Sequence, residues 1–160
     1  MNKLYLLLGS NLGNSRELLA VARKHIKRKI GPIKRLSKLY QTAAWGNTRQ
    51  PDFLNQVIVL QTTLDAHTCL EYILEIEQNM GRIRTKKNAP RIIDIDILFF
   101  NKSIYHTKNL TVPHPAIALR RFVLTPLNEL SPRFIHPVLG KSNHELLLNC
   151  SDTLNVKKIK

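Results

Sequence analysis

The sequence contains little cysteine, no long apolar run and no obvious targeting segment. Only two cysteines occur among 160 residues, Cys69 and Cys150, too few for a disulfide framework or a cysteine-rich metal cluster. No apolar run approaches the roughly 20 residues that a membrane span needs. The apolar stretch at the amino terminus is short, lacks a small-residue cleavage site and predicts a β-strand rather than a signal peptide. We therefore expect a cytoplasmic protein with reduced thiols and no membrane partner.

Acidic residues are also scarce. The chain has 11 Asp and Glu against 25 Lys and Arg, which gives a formal net charge of +14. Such a charge indicates an anionic partner, either nucleic acid or a nucleotide with its phosphates. Part of the excess is lysine, as in the final stretch NVKKIK at 155–160. The charge therefore does not choose between the two partners.

The order of predicted elements indicates an α+β fold. Strand patterns cover 3–8, 33–42, 53–63 and 90–100, and two helices begin after the N-cap candidates Asn14 and Asp65. This βαββαβ order is ferredoxin-like, with helices packed on an antiparallel sheet. A C-terminal extension adds two helices, in VLTPLNEL and NHELLLN. We expect a single domain over 1–160 whose last six or so residues are frayed.

The strand PRIIDIDILFF at 90–100 contains two aspartates among seven Ile, Leu and Phe residues. Strict alternation places four side chains on one face (Asp94, Asp96, Leu98, Phe100) and four on the other (Ile93, Ile95, Ile97, Phe99). The two aspartates then lie about 6–7 Å apart at their Cα atoms. Neighbouring carboxylates on an apolar strand favour a bound cation, most plausibly Mg²⁺. The alternative is a solvated strand end with two exposed acids.

Other polar features lie close to this strand in the sequence or in the predicted sheet. A basic run from Arg82 to Arg91 precedes it, either as a solvated loop or as a polyphosphate site, and its position favours the latter. Asn55 shares a strand face with Val57 and Val59, so its amide either forms a structural hydrogen bond or contacts a ligand. The loop GSNLGN at 9–14 is a plain connection or a weak phosphate-binding loop.

Several motifs together resemble the 6-hydroxymethyl-7,8-dihydropterin pyrophosphokinase family, whose members move pyrophosphate from ATP to a pterin alcohol in folate synthesis. The resemblance runs from Tyr5 to about Pro137. The motifs are LGSNLGN (8–14), YQTAAWG (40–46), QPDFLN (50–55), IEQNMGRIR (76–84), PRIIDIDILFF (90–100), LTVPH (110–114) and RRFVLTPL (120–127).

The resemblance implies a role for each matching residue. Asp94 and Asp96 would hold two Mg²⁺ ions and, with Arg82 and Arg91, form the catalytic group. Further ATP contacts would come from Glu77, Arg84, Thr111, His114 and Arg120. The pterin pocket would contain Phe53 and Phe122 as an aromatic pair, Asn55 at the ring edge, and the loop residues Thr42, Ala44 and Trp45. The pterin hydroxymethyl oxygen would attack the β-phosphorus of ATP in line, and AMP would leave.

The sequence departs from the family pattern in the basic loop, where KKNAPR is shorter than in many relatives and lacks their tryptophan. The resemblance implies small-molecule substrates and no nucleic-acid partner, and a monomer is the default expectation. The alternative is a basic ferredoxin-like RNA-binding module. That class stacks bases on aromatic residues of the sheet, and this sequence has no such aromatic cluster. A degenerate, non-catalytic paralogue is disfavoured by the retained aspartates, arginines and Asn55.

Overall fold

An antiparallel β-sheet forms the centre of the molecule. The computed structural model describes residues 1–44, 49–83 and 89–159. Their strands are β1 (Asn2–Ser10), β2 (Ile33–Leu36), β3 (Leu39–Thr42), β4 (Phe53–Thr62), β5 (Asp94–Phe100), β6 (Tyr105–His106), β7 (Thr111–Val112) and β8 (Val156–Ile159). The main sheet has the order β5-β1-β4-β3-β8, with β2 also paired to β4, while β6 and β7 form a separate two-stranded sheet.

Within these ranges, four α-helices cover the sheet: α1 (Ser15–Lys29), α2 (Ala66–Asn79), α3 (Arg121–Leu130) and α4 (Asn143–Leu148). Asn14 caps α1 by accepting from the backbone N–H of Glu17, and Asp65 caps α2 by accepting from that of Thr68. Each cap satisfies one N–H that the first helical turn leaves without a partner. Both predicted N-caps are therefore confirmed.

The sheet packs an apolar cluster on each face. One cluster joins alternate β1 residues such as Leu6 to α1 and α2, and includes Ile26 and Ile73. The other joins the remaining β1 residues, Tyr5 and Leu7, to α3 and α4. This arrangement confirms the predicted α+β class, with helices packed on an antiparallel sheet. No helix in the described ranges is long and apolar enough to cross a membrane.

The prediction of one strand over 33–42 was wrong, because β2 and β3 are separate. Ser37 lies between them, and its Oγ accepts a hydrogen bond from the backbone N–H of Val57 at 3.0 Å. The same Oγ donates to the carbonyl of Lys38 at 2.7 Å. The hydroxyl of Ser37 thus takes the place of a backbone carbonyl as the partner of the Val57 N–H. This exchange interrupts the backbone hydrogen-bond ladder with β4 at the point between β2 and β3.

The aspartate strand also differs from its prediction. It begins at Asp94 rather than at residue 90, because the backbone of Arg91 is bonded to Asn11 instead of to a neighbouring strand. Tyr5 pairs with Phe99 and Leu6 with Ile97, which leaves a bulge between them. The predicted alternation therefore holds only up to Leu98.

The bulge changes the faces of the two final phenylalanines. Phe99 packs in the cluster under α3 and α4, together with Leu98. Phe100 packs in the opposite cluster, under α1 and α2. The prediction that Phe100 shares a face with the two aspartates was wrong, since one extra residue in a strand moves every later side chain to the other face.

The carboxyl-terminal residues are paired, where the sequence led us to expect a frayed end. Leu39 lies opposite Ile159 and Thr42 lies opposite Val156 in the β3–β8 ladder. Val156 packs against the cluster under α3, and Ile159 packs against the opposite cluster. The apolar residues that bracket the two lysines therefore anchor β8 on both faces of the sheet.

Candidate active site

One cleft opens beside the middle of the sheet, on the face that carries α3. The register of three adjacent strands places a polar row across its floor: Gly9 of β1 lies opposite Asn55 of β4 and opposite Asp94 of β5. Residues opposite each other in neighbouring strands point to the same face. The next residue of β1 on this face, Leu7, lies opposite Asp96. The predicted amide and both predicted carboxylates therefore face one cleft.

Gly9 leaves space at the centre of this row. A Cβ atom at this position would lie 3.0 Å from Oδ1 of Asn55 and 3.6 Å from Cδ1 of Phe53. Glycine within a strand commonly marks a close approach by a ligand or another chain segment. The missing side chain thus keeps the floor of the cleft open between the amide and the carboxylates.

A network of ion pairs surrounds Asp94. Nη1 of Arg82 donates to Oδ1 of Asp94 at 2.7 Å and to Oε2 of Glu77 at 2.6 Å. Nη1 of Arg91 donates to Oδ2 of Asp94 at 3.0 Å. Oε2 of Glu77 also accepts from the backbone N–H of Ile95 at 2.8 Å. Glu77 therefore connects α2 to β5 and fixes Arg82 beside the cleft.

Charge and burial shift the proton affinities of this network. Burial lowers the pKa of Arg82, but the charges of Asp94 and Glu77 and the hydrogen bonds to them together outweigh burial and raise that pKa above its usual value. Burial, followed by the charges of Asp94 and Glu77, raises the pKa of Asp96 to about 7. The positive charges of Arg120 and Arg82 oppose this rise. A second negative charge is thus costly at Asp96 unless a cation accompanies it.

The acidic pair fits a hard divalent cation that shares its coordination with a substrate. Asp94 and Asp96 supply carboxylate oxygens, which Mg²⁺ prefers. Within 1–44, 49–83 and 89–159, no group of three or more His, Cys, Asp or Glu side chains is arranged to hold a metal. At nucleotide sites, Mg²⁺ is usually bound by one or two carboxylates, and phosphate oxygens and water complete its coordination.

The cleft is bordered by residues from the segment that precedes α3. Arg120 lines the cleft. His114 lies nearby, and its Nδ1 accepts from the backbone N–H of Ala116 at 3.1 Å. Burial, followed by the charge of Arg120, lowers the pKa of His114 to about 4 against the opposing effect of Asp94. His114 is therefore neutral near pH 7. Thr111, another predicted ATP contact, is exposed in β7.

The predicted pterin residues lie on the other side of the cleft. Thr42, Phe53, Asn55 and Phe122 all line it. The side chain of Asn55 is buried, and its Nδ2 has no hydrogen-bond partner among the described residues. The guanidinium carbon of Arg91 lies 5.6 Å from the ring centre of Phe53, and that of Arg120 lies 5.7 Å from the ring centre of Phe122. Each of the two aromatic rings thus contacts an arginine that also lines the cleft.

The structure describes one of the three remaining predicted site residues. Ala44 is buried, and its neighbour Ala43 lines the cleft in its place. Trp45 and Arg84 lie outside the described residues.

The sequence did not reveal that Asn11 joins the two sides of the cleft. Its Nδ2 donates to Oε1 of Gln50 at 2.7 Å and to the carbonyl of Pro51 at 2.9 Å. Its Oδ1 accepts from the backbone N–H of Arg91 at 2.9 Å. The sequence signal was the loop pattern GSNLGN at 9–14, whose first two residues belong to β1 in the structure. The backbone N–H of Asn11 donates to the carbonyl of Arg91. This N–H of the 9–14 loop therefore connects two chain segments and is not directed at a phosphate.

Comparison with known proteins identifies the family of the chain. Residues 5–132 match the family described as 7,8-dihydro-6-hydroxymethylpterin-pyrophosphokinase. The chain belongs to this family. Two bacterial pyrophosphokinases of this family, both named 2-amino-4-hydroxy-6-hydroxymethyldihydropteridine pyrophosphokinase, are 38% identical to it. The protein of Methylorubrum extorquens matches over 136 residues and that of Aquifex aeolicus over 141, covering 84% and 88% of this chain and 86% and 88% of theirs.

Longer proteins are also similar to this pyrophosphokinase-family chain. Folic acid synthesis protein FOL1 of Dictyostelium discoideum is 36% identical over 158 residues, which are 99% of this chain and 24% of the relative. The chain thus spans about a quarter of that protein. A crystal structure of Plasmodium falciparum HPPK-DHPS, wild type with pteroate, has a TM-score of 0.76 at 20% identity, covering 92% of this chain and 42% of the other. That likeness shows the fold.

Proposed function

We propose that the chain transfers pyrophosphate from ATP to 6-hydroxymethyl-7,8-dihydropterin, which yields the pterin pyrophosphate and AMP for folate synthesis. Membership of the pyrophosphokinase family supports this function, as do the names of the two bacterial relatives. The observation that carries the proposal is the row Asn55–Gly9–Asp94, which joins an aromatic and amide pocket to a cluster of carboxylates and arginines.

The pocket side suits a flat heterocycle with polar edges. Phe53 and Phe122 offer aromatic faces against which a pterin ring can stack. The buried Nδ2 of Asn55 lacks an acceptor among the described residues, and the ring edge of a pterin carries nitrogen and carbonyl acceptors. An unsatisfied buried donor costs about 1–3 kcal/mol. A ligand that accepts from Asn55 relieves this cost, and a ligand without an acceptor there does not.

The charged side suits a polyphosphate. Arg91 and Arg120 line the cleft, and Arg82 is held beside it by Glu77. Guanidinium groups bind phosphate oxygens through two parallel hydrogen bonds, and they remain charged at neutral pH. His114 is neutral at this pH, so it would contact the ATP phosphates through a hydrogen bond and not through charge. Glu77 acts through Arg82, which it orients.

Asp94 and Asp96 would hold the metal in this proposal, which assigns two Mg²⁺ ions to them. When bound, such ions neutralise phosphate charge and hold the reacting groups in line. Burial, followed by the charges of Asp94 and Glu77, raises the pKa of Asp96, and a bound cation would favour the charged carboxylate. The donor set therefore fits the ions that the family resemblance implies.

The chain itself contributes orientation and charge to the transfer. A bond forms between the hydroxymethyl oxygen of the pterin and the β-phosphorus of ATP. The bond from that phosphorus to the oxygen bridging the α- and β-phosphates breaks, AMP leaves with this oxygen, and the hydroxyl proton is released. Phe53, Phe122 and Asn55 would direct the hydroxymethyl group toward the aspartates, and the arginines would hold the phosphates. Positioning of this kind accounts for much of catalysis in phosphoryl transfer.

The covered sheet faces support the pyrophosphokinase proposal over the RNA-binding alternative. RNA-recognition sheets of this class stack bases on aromatic residues of an open sheet face. In this protein, α1 and α2 cover one face of the sheet, and α3 and α4 cover the other. The monomeric state and the cytoplasmic location stay predictions from the sequence.

The proposed function can be tested by identifying the nucleotide product. The purified chain is incubated with ATP, Mg²⁺ and 6-hydroxymethyl-7,8-dihydropterin, and the nucleotides are separated by chromatography. We expect one AMP for each pterin pyrophosphate and no ADP. A matched control uses 6-methyl-7,8-dihydropterin, which lacks the acceptor hydroxyl, and should yield no AMP. Formation of ADP, or no pterin-dependent AMP, would contradict the proposal.

A further inference from the structure

The segment at 150–159, here called the C-terminal clasp, contacts two walls of the cleft without lining it. Its strand β8 pairs with β3, and Thr42 at the end of β3 lies opposite Val156. Its residue Asp152 contacts the first residue of α3, Arg121. Thr42 lines the cleft, and so do both neighbours of Arg121, namely Arg120 and Phe122.

Asp152 supplies a helix cap from a distant part of the chain. Its Oδ2 accepts from the backbone N–H of Arg121 at 3.0 Å, and its Oδ1 accepts from that of Leu154 at 3.0 Å. Arg120 occupies the N-cap position of α3, and its side chain makes no capping hydrogen bond. A carboxylate near a helix N-terminus satisfies an otherwise unpaired N–H and complements the helix dipole. Asp152 thus does for α3 what Asn14 does for α1.

The side chain of Arg121 adds a second connection to the clasp. Its Nε donates to the carbonyl of Asp152 at 2.9 Å, and its Nη2 donates to that of Cys150 at 3.3 Å. Arg121 is therefore directed away from the cleft, between two residues that face it. The clasp fixes the rotation of the first turn of α3.

The first turn of α3 needs this external support. Pro126 lies inside the helix, and proline has no N–H to donate to the carbonyl four residues earlier. That carbonyl belongs to Phe122. The hydrogen-bond ladder of α3 therefore lacks one bond at Phe122, on the aromatic wall of the cleft, and the contacts from Asp152 and Cys150 support the first turn from outside the helix.

We propose that Asp152 is a positioning residue for the pterin pocket: through Arg121 it holds Phe122 in the orientation that receives the ring. This inference rests on the proposed function. Loss of a helix cap typically weakens a helix by an amount equivalent to about a fivefold change in an equilibrium. Asp152→Ala should therefore weaken pterin binding about fivefold, and turnover at saturating pterin should change less than affinity does.

The test measures pterin affinity by calorimetry with Mg²⁺ and a non-hydrolysable ATP analogue. Ser142→Ala is the matched control, because Ser142 caps α4 through the N–H of Glu145 and α4 carries no residue of the cleft. We expect both variants to lower Tm, and only Asp152→Ala to raise the pterin Kd. Asp152→Asn retains one side-chain oxygen for the N–H of Arg121 and should recover most of the affinity.

The outcomes separate this inference from the proposed function. Wild-type protein that does not bind pterin would overturn the proposed function. Wild-type binding with equal pterin Kd values for Asp152→Ala and Ser142→Ala would overturn the role of Asp152 alone. If Asp152→Ala does not fold, Arg121→Met replaces it, since that variant removes two of the hydrogen bonds to the clasp and keeps the capped N–H. Unchanged pterin Kd in Arg121→Met would then be the contradicting result.

Discussion

Arg82 and Asp94 form a hydrogen-bonded ion pair, with Nη1 of the arginine 2.7 Å from Oδ1 of the aspartate. The other carboxylate oxygen of Asp94 accepts from Arg91 at 3.0 Å. Arginines therefore engage both carboxylate oxygens of Asp94. A cation or a phosphate that enters the cleft competes for these contacts. The ion pairs thus link the position of two arginines to the occupancy of the acidic site.

Replacement of Arg82 tests how much this pairing stabilises the fold. Arg82→Ala removes the guanidinium group that donates to Glu77, whose side chain is only 3% exposed, and to Asp94. We expect the free energy of unfolding to fall by about 2–4 kcal/mol in chemical denaturation without Mg²⁺. Arg28→Ala, at an exposed position of α1, is the control and should change it by less than about 0.5 kcal/mol. Equal effects of the two changes would contradict the structural role of Arg82.

The local parts of this architecture were accessible from the sequence. Asn14 and Asp65 mark helix starts because capping depends on residues three positions apart. The two aspartates were predicted on one strand face because alternation is a property of the strand itself. The family resemblance added roles for residues that the cleft now brings together, including Asn55 and Phe122.

The remaining features depend on partners far away in the chain. The bulge that moves Phe100 to the opposite face is set by the pairing of β5 with β1. The break at Ser37 depends on Val57, and the cap of α3 comes from Asp152, 31 positions from Arg121. No local pattern encodes such contacts, so the sequence could not reveal them.

Gly9 should control the volume available to the pterin. In Gly9→Ala the new methyl group would lie 3.0 Å from Oδ1 of Asn55, closer than carbon and oxygen normally approach, and would tilt the amide away from the ring edge. We expect a loss of pterin affinity of about tenfold or more by calorimetry, equivalent to one displaced hydrogen bond. Affinity for an ATP analogue in the same variant is the internal control. Unchanged pterin affinity would show that the floor of the cleft does not restrict the ligand.

Asn11 should matter for both substrates, because it bonds the pterin-side loop and the backbone of Arg91. Asn11→Ala removes all its side-chain contacts, and we expect the KM values for pterin and ATP each to rise by about fivefold or more. Asn11→Asp keeps the acceptor for the N–H of Arg91 but loses the donor to Gln50. That variant should raise the pterin KM more than the ATP KM. A change in neither KM for Asn11→Ala would exclude this coupling.

His114 should make the fold sensitive to acid. Its folded-state pKa of about 4 lies below the ordinary 6.5, so the unfolded chain binds the proton more readily. Stability from neutral His114 is present above pH 6.5 and is lost as the pH falls toward 4. His114→Asn keeps an acceptor for the N–H of Ala116 and removes the titration.

Between pH 7 and pH 4, we expect the free energy of unfolding of His114→Asn to fall by about 3 kcal/mol less than that of wild type in denaturant titrations. Burial also lowers the pKa of His136, so an acid-dependent loss remains in the variant. His106→Asn, at an exposed position, is the control and should follow the wild-type curve. Coincident curves for His114→Asn and wild type would contradict the assignment.

We propose that Asp94 and Asp96 serve the pyrophosphate transfer, while the pocket around Asn55 binds the pterin. The most direct test is the rate of AMP formation by Asp96→Ala at saturating Mg²⁺, ATP and pterin, with pterin affinity measured on the same preparation. Glu71→Ala, at an exposed position of α2, is the control. We expect Asp96→Ala to form AMP at least about a hundredfold more slowly than wild type and to bind pterin with an unchanged Kd. Near-wild-type AMP formation by Asp96→Ala would contradict this proposal.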